Sequence, residues 1–128
     1  MTSESAVASS VRLSAAQENV TLMRNNVGVA VSHDNRPVRY GLCNESKKQN
    51  QVLKSSDLIG ITPVTITPEM VNRVLGVFTA VETKHSDWIY KGSEREVAQL
   101  NFINLVLQNG GFAGFANNVE TFKRIIGK

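Results

Sequence analysis

The feature that most constrains the fold is the run Gly76–Lys84, which is apolar for most of its length and ends in two opposite charges. Its β-branched and aromatic residues favour a strand. Successive side chains of a strand point to opposite faces, so Glu82 and Lys84 share a face with Phe78 and Ala80. Charged groups beside a packed face need partners, because unpaired charges are costly to bury. Those partners are either a metal ion and a phosphate, or each other on a strand that emerges into solvent.

A second strand-like segment, Ser55–Ile61, carries its one acidic residue, Asp57, near its start. If this segment pairs antiparallel with the first through the connection between them, Asp57 and Glu82 come together. Two carboxylates at that separation repel each other unless a cation lies between them, and ligation by oxygen alone suits Mg²⁺ or Mn²⁺ and not Zn²⁺. The pattern therefore predicts a site for a hard divalent cation.

The order of these motifs resembles that of the VRR-NUC domain, the virus-type replication-repair branch of the PD-(D/E)xK nuclease superfamily. The matching motifs are Ser56–Gly60, Gly76–Lys84, Gln99 within a helix, and Gly110–Gly114. The resemblance runs from about Ser14 to the C-terminus and is to a stand-alone, phage-type member. One departure is Ser56, which stands where the superfamily's name has a proline, although Asp57 still supplies the acid.

The resemblance implies an α/β fold with a PD-(D/E)xK nuclease-like, or restriction-endonuclease-like, core in which helices flank a mixed central sheet. It implies a Mg²⁺- or Mn²⁺-dependent endonuclease that hydrolyses phosphodiester bonds in branched or structured DNA during phage or bacterial replication and repair. Similarity to Holliday-junction resolvases implies a homodimer. The alternatives are a flap or end-processing nuclease and a non-catalytic, structure-selective DNA-binding module.

The resemblance also implies roles for individual residues. The catalytic residues would be Asp57, Glu82, Lys84 and Gln99, and the metal ligands Asp57, Glu82, Glu18 and the carbonyl of Thr83. Lys84 would orient and help to deprotonate the attacking water, or stabilise the developing negative charge. Gln99 would contact the scissile phosphate and the water. Without any chemistry, Glu18 is explained as an acid near a helix N-terminus, and Gln99 as an amide that bonds to backbone groups.

Cations are concentrated around a polar segment, Cys43–Ser55, that is predicted to be a loop. The candidates for contact with DNA are Arg36, Arg39, Lys47, Lys48 and Lys54. They would form a cationic rim for backbone phosphates, or the segment only keeps the protein soluble. The sequence lacks the alternation of arginine and aromatic residues that would indicate stacking on bases. Recognition of nucleic-acid shape is therefore favoured over recognition of sequence.

Local signals predict the order αβββ–αβα. Residues 1–13 are predicted to be a flexible leader, and residues 14–128 a single VRR-NUC-like nuclease domain. The predicted elements are a helix from Ser14 to about Asn25, a buried strand over Val27–Ser32 with a return strand over Val38–Leu42, a helix from Ser93 to about Gly110, a strand over Gly111–Ala116, and a helix over Val119–Ile126. Capping boxes mark the starts of the helices at Ser14 and Ser93.

Composition is that of an ordinary globular domain. With 128 residues and 41% apolar residues, the chain is long enough to bury roughly two-thirds of its unfolded surface. Its single cysteine, Cys43, excludes an internal disulfide, and no apolar run is long enough for a membrane span. We therefore expect a cytoplasmic protein of a bacterium or phage-infected cell. The net charge of +3 is compatible with a polyanionic partner but does not require one.

Two further patterns have alternative interpretations. Trp88 and Tyr90 lie between the predicted site and the next helix, where they would close the edge of the core, or else separate DNA strands or act as a lid. The glycines Gly110, Gly111 and Gly114 would cradle a phosphate or serve a helix cap and strand packing.

Overall fold

The computed structural model describes residues 3–128, so the first two residues of the predicted leader lie outside the described residues. The fold is mixed α/β, as predicted. The chain divides into two compact units, Met1–Gly60 and Ile61–Lys128. No helix within residues 3–128 is long and apolar enough to cross a lipid bilayer.

The first unit contains two helices and most of the strands. In chain order the elements are α1 (Glu4–Gln17), β1 (Thr21–Arg24), β2 (Gly28–Val31), β3 (Pro37–Tyr40), α2 (Lys47–Val52) and β4 (Leu58–Ile61), the last ending at the first residue of the second unit. β1 pairs with β4, and β2 pairs antiparallel with β3.

The predicted helix beginning at Ser14 is wrong, because the helix begins ten residues earlier, at Glu4, and ends at Gln17. Ser3 is the N-cap, and its hydroxyl accepts a hydrogen bond from the Ala6 N–H. The described part of the predicted leader is therefore helical from Glu4 onwards. Asn19, with φ of 60°, lies in the left-handed region just after the helix and helps to end it. Ser14 to Gln17 thus form the last turn of α1.

The predicted hairpin is confirmed, with Val29 opposite Arg39 in the β2–β3 ladder. The expectation that β2 is buried is wrong, since Val31 remains 69% exposed. The segment predicted to be a loop contains the short helix α2 instead. Ser46 caps this helix by accepting a hydrogen bond from the Gln49 N–H at 3.0 Å, which explains why a polar segment becomes helical.

The second unit contains a βαβ arrangement. After a 3₁₀ turn (Pro68–Met70) come β5 (Thr79–Thr83), α3 (Glu94–Gln108), β6 (Phe112–Ala116) and α4 (Val119–Ile125). β5 and β6 are parallel, with Thr83 opposite Ala116, and α3 is the crossover between them. The predicted starts of α3 and α4 are confirmed, and Ser93 forms a capping box with Glu96.

Strand pairing differs from the prediction. The strands form three two-stranded sheets, so the predicted single mixed central sheet and the antiparallel pairing of β4 with β5 are wrong for the described residues. β4 can approach β1 closely because Gly60 has no side chain. A Cβ at this position would collide with the Thr21 carbonyl of β1. β5 has its own partner in β6, the strand that follows it through α3.

The core of the second unit lies between α3 and the β5–β6 pair. Val106 is fully buried and Ile103 is 5% exposed. The remaining members are Ile61 and Ala113, with Phe78, Ala80 and Phe115 packed against them. α3 packs one face onto β5 and β6. A polar side chain at the edge of this face can therefore bond to groups on both the helix and the strands.

The glycines after α3 serve packing. Gly110 has φ of 83° and follows the C-cap, as predicted for the end of this helix. A Cβ at Gly111 would lie 2.6 Å from Val106 Cγ1, and one at Gly114 would lie 2.9 Å from Ile125 Cγ1. The structure therefore favours a helix cap and strand packing over a phosphate cradle.

Candidate active site

The end of β5 presents its two charges in the predicted way. Glu82 and Lys84 are half-buried, whereas Thr83 between them is exposed, so the expected alternation of faces is confirmed. The Lys84 N–H donates to the Ala116 carbonyl at 2.8 Å, which continues the β5–β6 ladder beyond the last residue of β5. The backbone of both charged residues is therefore fixed by the sheet.

Gln99 of α3 joins the two charges. Its Nε2 donates to Glu82 Oε1 at 2.8 Å, and its Oε1 accepts from Lys84 Nζ at 2.8 Å. This amide orientation is the only one that satisfies both neighbours, since a carboxylate only accepts and an ammonium only donates. The structure thus brings together three of the four residues predicted to be catalytic, and Gln99 bonds to side chains and not to backbone.

The simpler interpretation of the two charges, a direct ion pair, is not what the structure contains. Within residues 3–128 the only ion pair joins Arg36 to Asp34 in the β2–β3 turn, at 3.3 Å. Instead, the neutral Gln99 amide bridges Glu82 and Lys84 by one hydrogen bond to each. Each charge consequently keeps capacity for another partner.

Aromatic rings form the other side of the Lys84 environment. The ammonium lies 5.5 Å from the centroid of the Trp88 ring and 5.6 Å from that of Phe115. Such cation–π contacts contribute about 0.5–1 kcal/mol where the cation is exposed and more where it is desolvated. The Trp88 and Phe115 rings also pack on each other, with centroids 4.8 Å apart. Lys84 is therefore restrained by two rings and one amide.

Trp88 closes the edge of the core, which favours that role over a lid. Its indole Nε1 donates to Glu96 Oε2 at 2.7 Å. Glu96 is buried, and its other oxygen accepts from the backbone N–H groups of Ser93 and Lys91. These hydrogen bonds, chiefly that from the Ser93 N–H, lower the pKa of Glu96 to about 2, although burial acts in the opposite direction.

We expect the contribution of Glu96 to stability to depend on pH. Because its pKa in the folded state lies below the ordinary value of 4.5, the carboxylate stabilises the fold above about pH 4.5, and this is lost as the pH falls toward 2. The free energy of unfolding of wild type and Glu96→Gln, measured in urea, should differ most near neutral pH and converge in acid. A difference that stays constant with pH would contradict this.

The second unit offers two oxygen donors of the kind that hard cations prefer, the Glu82 carboxylate and the Thr83 carbonyl. Glu82 Oε1 accepts from Gln99, whereas Oε2 has no partner within residues 3–128. Phe78 and Lys84 bond to β6, and alternate residues of a strand bond to opposite sides, so the Thr83 carbonyl points to the other edge of β5. Mg²⁺ needs only one or two carboxylates, because it keeps waters and binds substrate phosphates. No group of three or more His, Cys, Asp or Glu suited to a metal occurs in the described part of the chain.

The other two predicted metal ligands lie in the first unit. Asp57 is exposed immediately before β4, where the sequence places it, and lines a cleft of about 490 Å³ together with Arg12 and Arg24. Glu18 is the C-cap of α1, so the expectation of an acid in a first helical turn is wrong. An acid there gains nothing from the helix dipole. Shared ligation of an ion by Asp57, Glu18 and Glu82 stays a prediction.

Two of the five residues predicted to form a cationic rim line the same cleft, and the rim itself stays a prediction. Arg39 and Lys54 line one cleft of about 400 Å³ in the first unit. Arg39 Nη1 donates to Oδ1 of the buried Asn44 at 2.6 Å, which fixes the guanidinium. The other three candidates lie outside this cleft, Arg36 beside Asp34 and Lys47 and Lys48 in the first turn of α2.

Sequence reasoning missed three arginines that line clefts with predicted site residues. Arg12 and Arg24 do so beside Asp57, and Arg95 does so beside Glu82 and Gln99. Arg95 had a usable signal, because residues four apart on a helix lie on one face and Arg95 precedes Gln99 by four. No such signal was available for Arg12 and Arg24, since Arg12 lies on α1 and Arg24 on β1.

Comparison of the chain with protein-family models, with curated proteins and with solved structures finds no match. The resemblance to VRR-NUC domains therefore rests on the sequence motifs. The geometry of Glu82, Gln99 and Lys84 is the structural basis for proposing a function.

Proposed function

We propose that the chain is a Mg²⁺- or Mn²⁺-dependent DNA endonuclease with a PD-(D/E)xK-type site that hydrolyses phosphodiester bonds in branched DNA. The observation that supports this is the hydrogen-bonded chain from Glu82 through Gln99 to Lys84. It joins a carboxylate with an uncommitted oxygen to a restrained ammonium. Metal-assisted hydrolysis needs an anionic metal ligand beside a group that orients the attacking water or accepts its proton.

Each residue has a distinct role under this proposal. The chemistry that a bound Mg²⁺ or Mn²⁺ supplies is a lowered pKa of water and polarisation of a phosphoryl oxygen. Glu82 and the Thr83 carbonyl would hold the ion, with Asp57 and Glu18 as further predicted ligands. Lys84 would orient the attacking water and then act in one of two ways: as the neutral amine it would take the proton of that water, or as the ammonium it would stabilise the charge that develops on the phosphate. Gln99 keeps the Lys84 ammonium and the Glu82 carboxylate at fixed positions.

A non-catalytic DNA-binding module is the second candidate, because two clefts of the first unit carry paired cations. Arg39 and Lys54 line one, and Arg12 and Arg24 line the other. Contacts of this kind to backbone phosphates bind DNA without any chemistry. We favour the nuclease, since a binding module has no need of the Glu82–Gln99–Lys84 network. A homodimer belongs to the same proposal, because two sites would act on one junction, and light scattering at assay concentration tests it.

We expect the purified protein to cut a four-way DNA junction in Mg²⁺ or Mn²⁺ and to stop cutting when EDTA removes the ion. The assay compares end-labelled junction, flap and linear duplex of equal length, with binding followed in EDTA by a gel shift. If the flap is cleaved faster than the junction, the proposed substrate is a flap and not a four-way junction. Binding of the junction without cleavage in either metal would contradict the nuclease and support the binding module.

A further inference from the structure

A cleft adjoins the Glu82–Gln99–Lys84 network within the second unit. It has a volume of about 410 Å³ and lies between α3 and β5. Its apolar lining comes from Ala80, Val81, Ala98, Phe102 and Ile103, and its polar lining from Glu82, Arg95 and Gln99. A cavity with an apolar lining and a few convergent polar groups is typical of sites for small organic ligands. The network described above uses Glu82 and Gln99, and the core uses Ile103 and Ala80. Arg95, Ala98 and Phe102 are left without a role.

Arg95 is poorly explained by the fold alone. It is exposed and forms no ion pair or side-chain hydrogen bond with any residue from 3 to 128. It also lies in the first turn of α3, where the helix dipole disfavours a cation and favours an anionic partner. Gln99 lies one helical turn further on the same face, roughly 6 Å along the axis. A guanidinium so placed, one turn from a proposed scissile-phosphate position, suits a second phosphate.

We propose that this cleft binds the nucleotide next to the scissile phosphate of the DNA substrate, after that nucleotide has been turned out of its base pair at the branch point. Arg95 holds the phosphate of that nucleotide, and its sugar and base lie against Ala98 and Phe102. The inference rests on the proposed nuclease function, which it deepens by adding that one nucleotide beside the cut must leave its base pair. The Phe102 side chain is 39% exposed, so a base has a ring against which to pack.

The test is direct binding of the 5′-phosphorylated dinucleotide pdTpdT in EDTA, followed by NMR of ¹³C-labelled alanine methyl groups. The methyl groups of Ala80 and Ala98 line the cleft, and Ala30 in the β2–β3 hairpin is the reference. We expect the dinucleotide to shift the Ala80 and Ala98 resonances and not that of Ala30. Arg95→Ala should weaken binding about tenfold or more, because it removes a charge-assisted contact.

Arg124→Ala is the matched control, since it removes the same side chain from another helix of the same unit. It should leave the dissociation constant for pdTpdT unchanged. Arg95→Ala should also reduce the dependence of log K on log salt by about 0.7, the value for one phosphate of a single strand. Absence of shifts at Ala80 and Ala98, or equal weakening by both arginine variants, would overturn the proposal. Equal shifts with inorganic phosphate alone would overturn the nucleotide assignment.

The two proposals fail in distinguishable ways, because binding is measured without metal. Shifts in EDTA with no cleavage of junction DNA in Mg²⁺ or Mn²⁺ would reject the nuclease and keep the nucleotide cleft. Cleavage of the junction with no shifts would reject the cleft and keep the nuclease. If both hold, Arg95→Ala should raise the KM for junction DNA more than it lowers kcat, as expected for a residue that binds substrate away from the reacting atoms.

Discussion

Glu82→Gln is expected to lower metal-dependent DNA cleavage by about a thousandfold or more. Glutamine keeps the shape of the side chain and an oxygen that still accepts the hydrogen bond from Gln99 Nε2, now 2.8 Å from Glu82 Oε1. The substitution therefore removes the negative charge and leaves the packing of β5 on α3 in place. The measurement is single-turnover cleavage of junction DNA in Mg²⁺ and in Mn²⁺.

Glu120→Gln is the matched control, because Glu120 is an exposed acid in the first turn of α4. It should cleave at the wild-type rate, and both variants should keep the wild-type circular dichroism spectrum and melting temperature within a few degrees. Cleavage by Glu82→Gln at a rate near that of Glu120→Gln would show that the charge of Glu82 has no part in catalysis.

Local signals were sufficient for most of the second unit. The capping box from Ser93 to Glu96 marks the first turn of α3, and the alternation around Thr83 marks the faces of β5. Both patterns depend on residues close together in sequence, and the structure agrees with them. Gln99 followed from the family resemblance, and its bonds to both charges required α3 to pack on β5.

The first unit was harder to predict because two serines, Ser3 and Ser14, are both suitable N-cap residues for the first helix. Ser14 has a glutamine three residues later, as a capping box requires, but Ser3 is the residue that caps α1. The helix that Ser3 caps runs from Glu4 to Gln17, which leaves Thr21–Arg24 free to form a strand. Pairing of that strand with β4 depends on residues more than thirty positions apart and on the missing side chain of Gly60. No local pattern contains such information.

Lys84→Met is expected to lower cleavage of junction DNA by about 100- to 10,000-fold, the range for a positioned proton-transfer group. Methionine is nearly as long and keeps favourable contacts with the Trp88 and Phe115 rings, which lie 5.5 Å and 5.6 Å from the ammonium. The variant therefore removes the charge and the proton-transfer group and retains the aromatic packing. Lys123→Met, an exposed lysine on α4, is the matched control and should cleave normally.

Lys84→Arg separates the two roles proposed for the Lys84 side chain, which are charge stabilisation by the ammonium and proton acceptance by the neutral amine. A guanidinium stays charged but does not give up its proton at accessible pH, so it substitutes for a stabilising charge and not for a base. If Lys84 stabilises the developing charge, the arginine variant should recover a substantial part of the activity that methionine loses. If Lys84 takes the proton of the attacking water, both variants should be equally inactive. Full activity of Lys84→Met would remove Lys84 from the reaction altogether, because no charge would then remain between Gln99 and the aromatic rings.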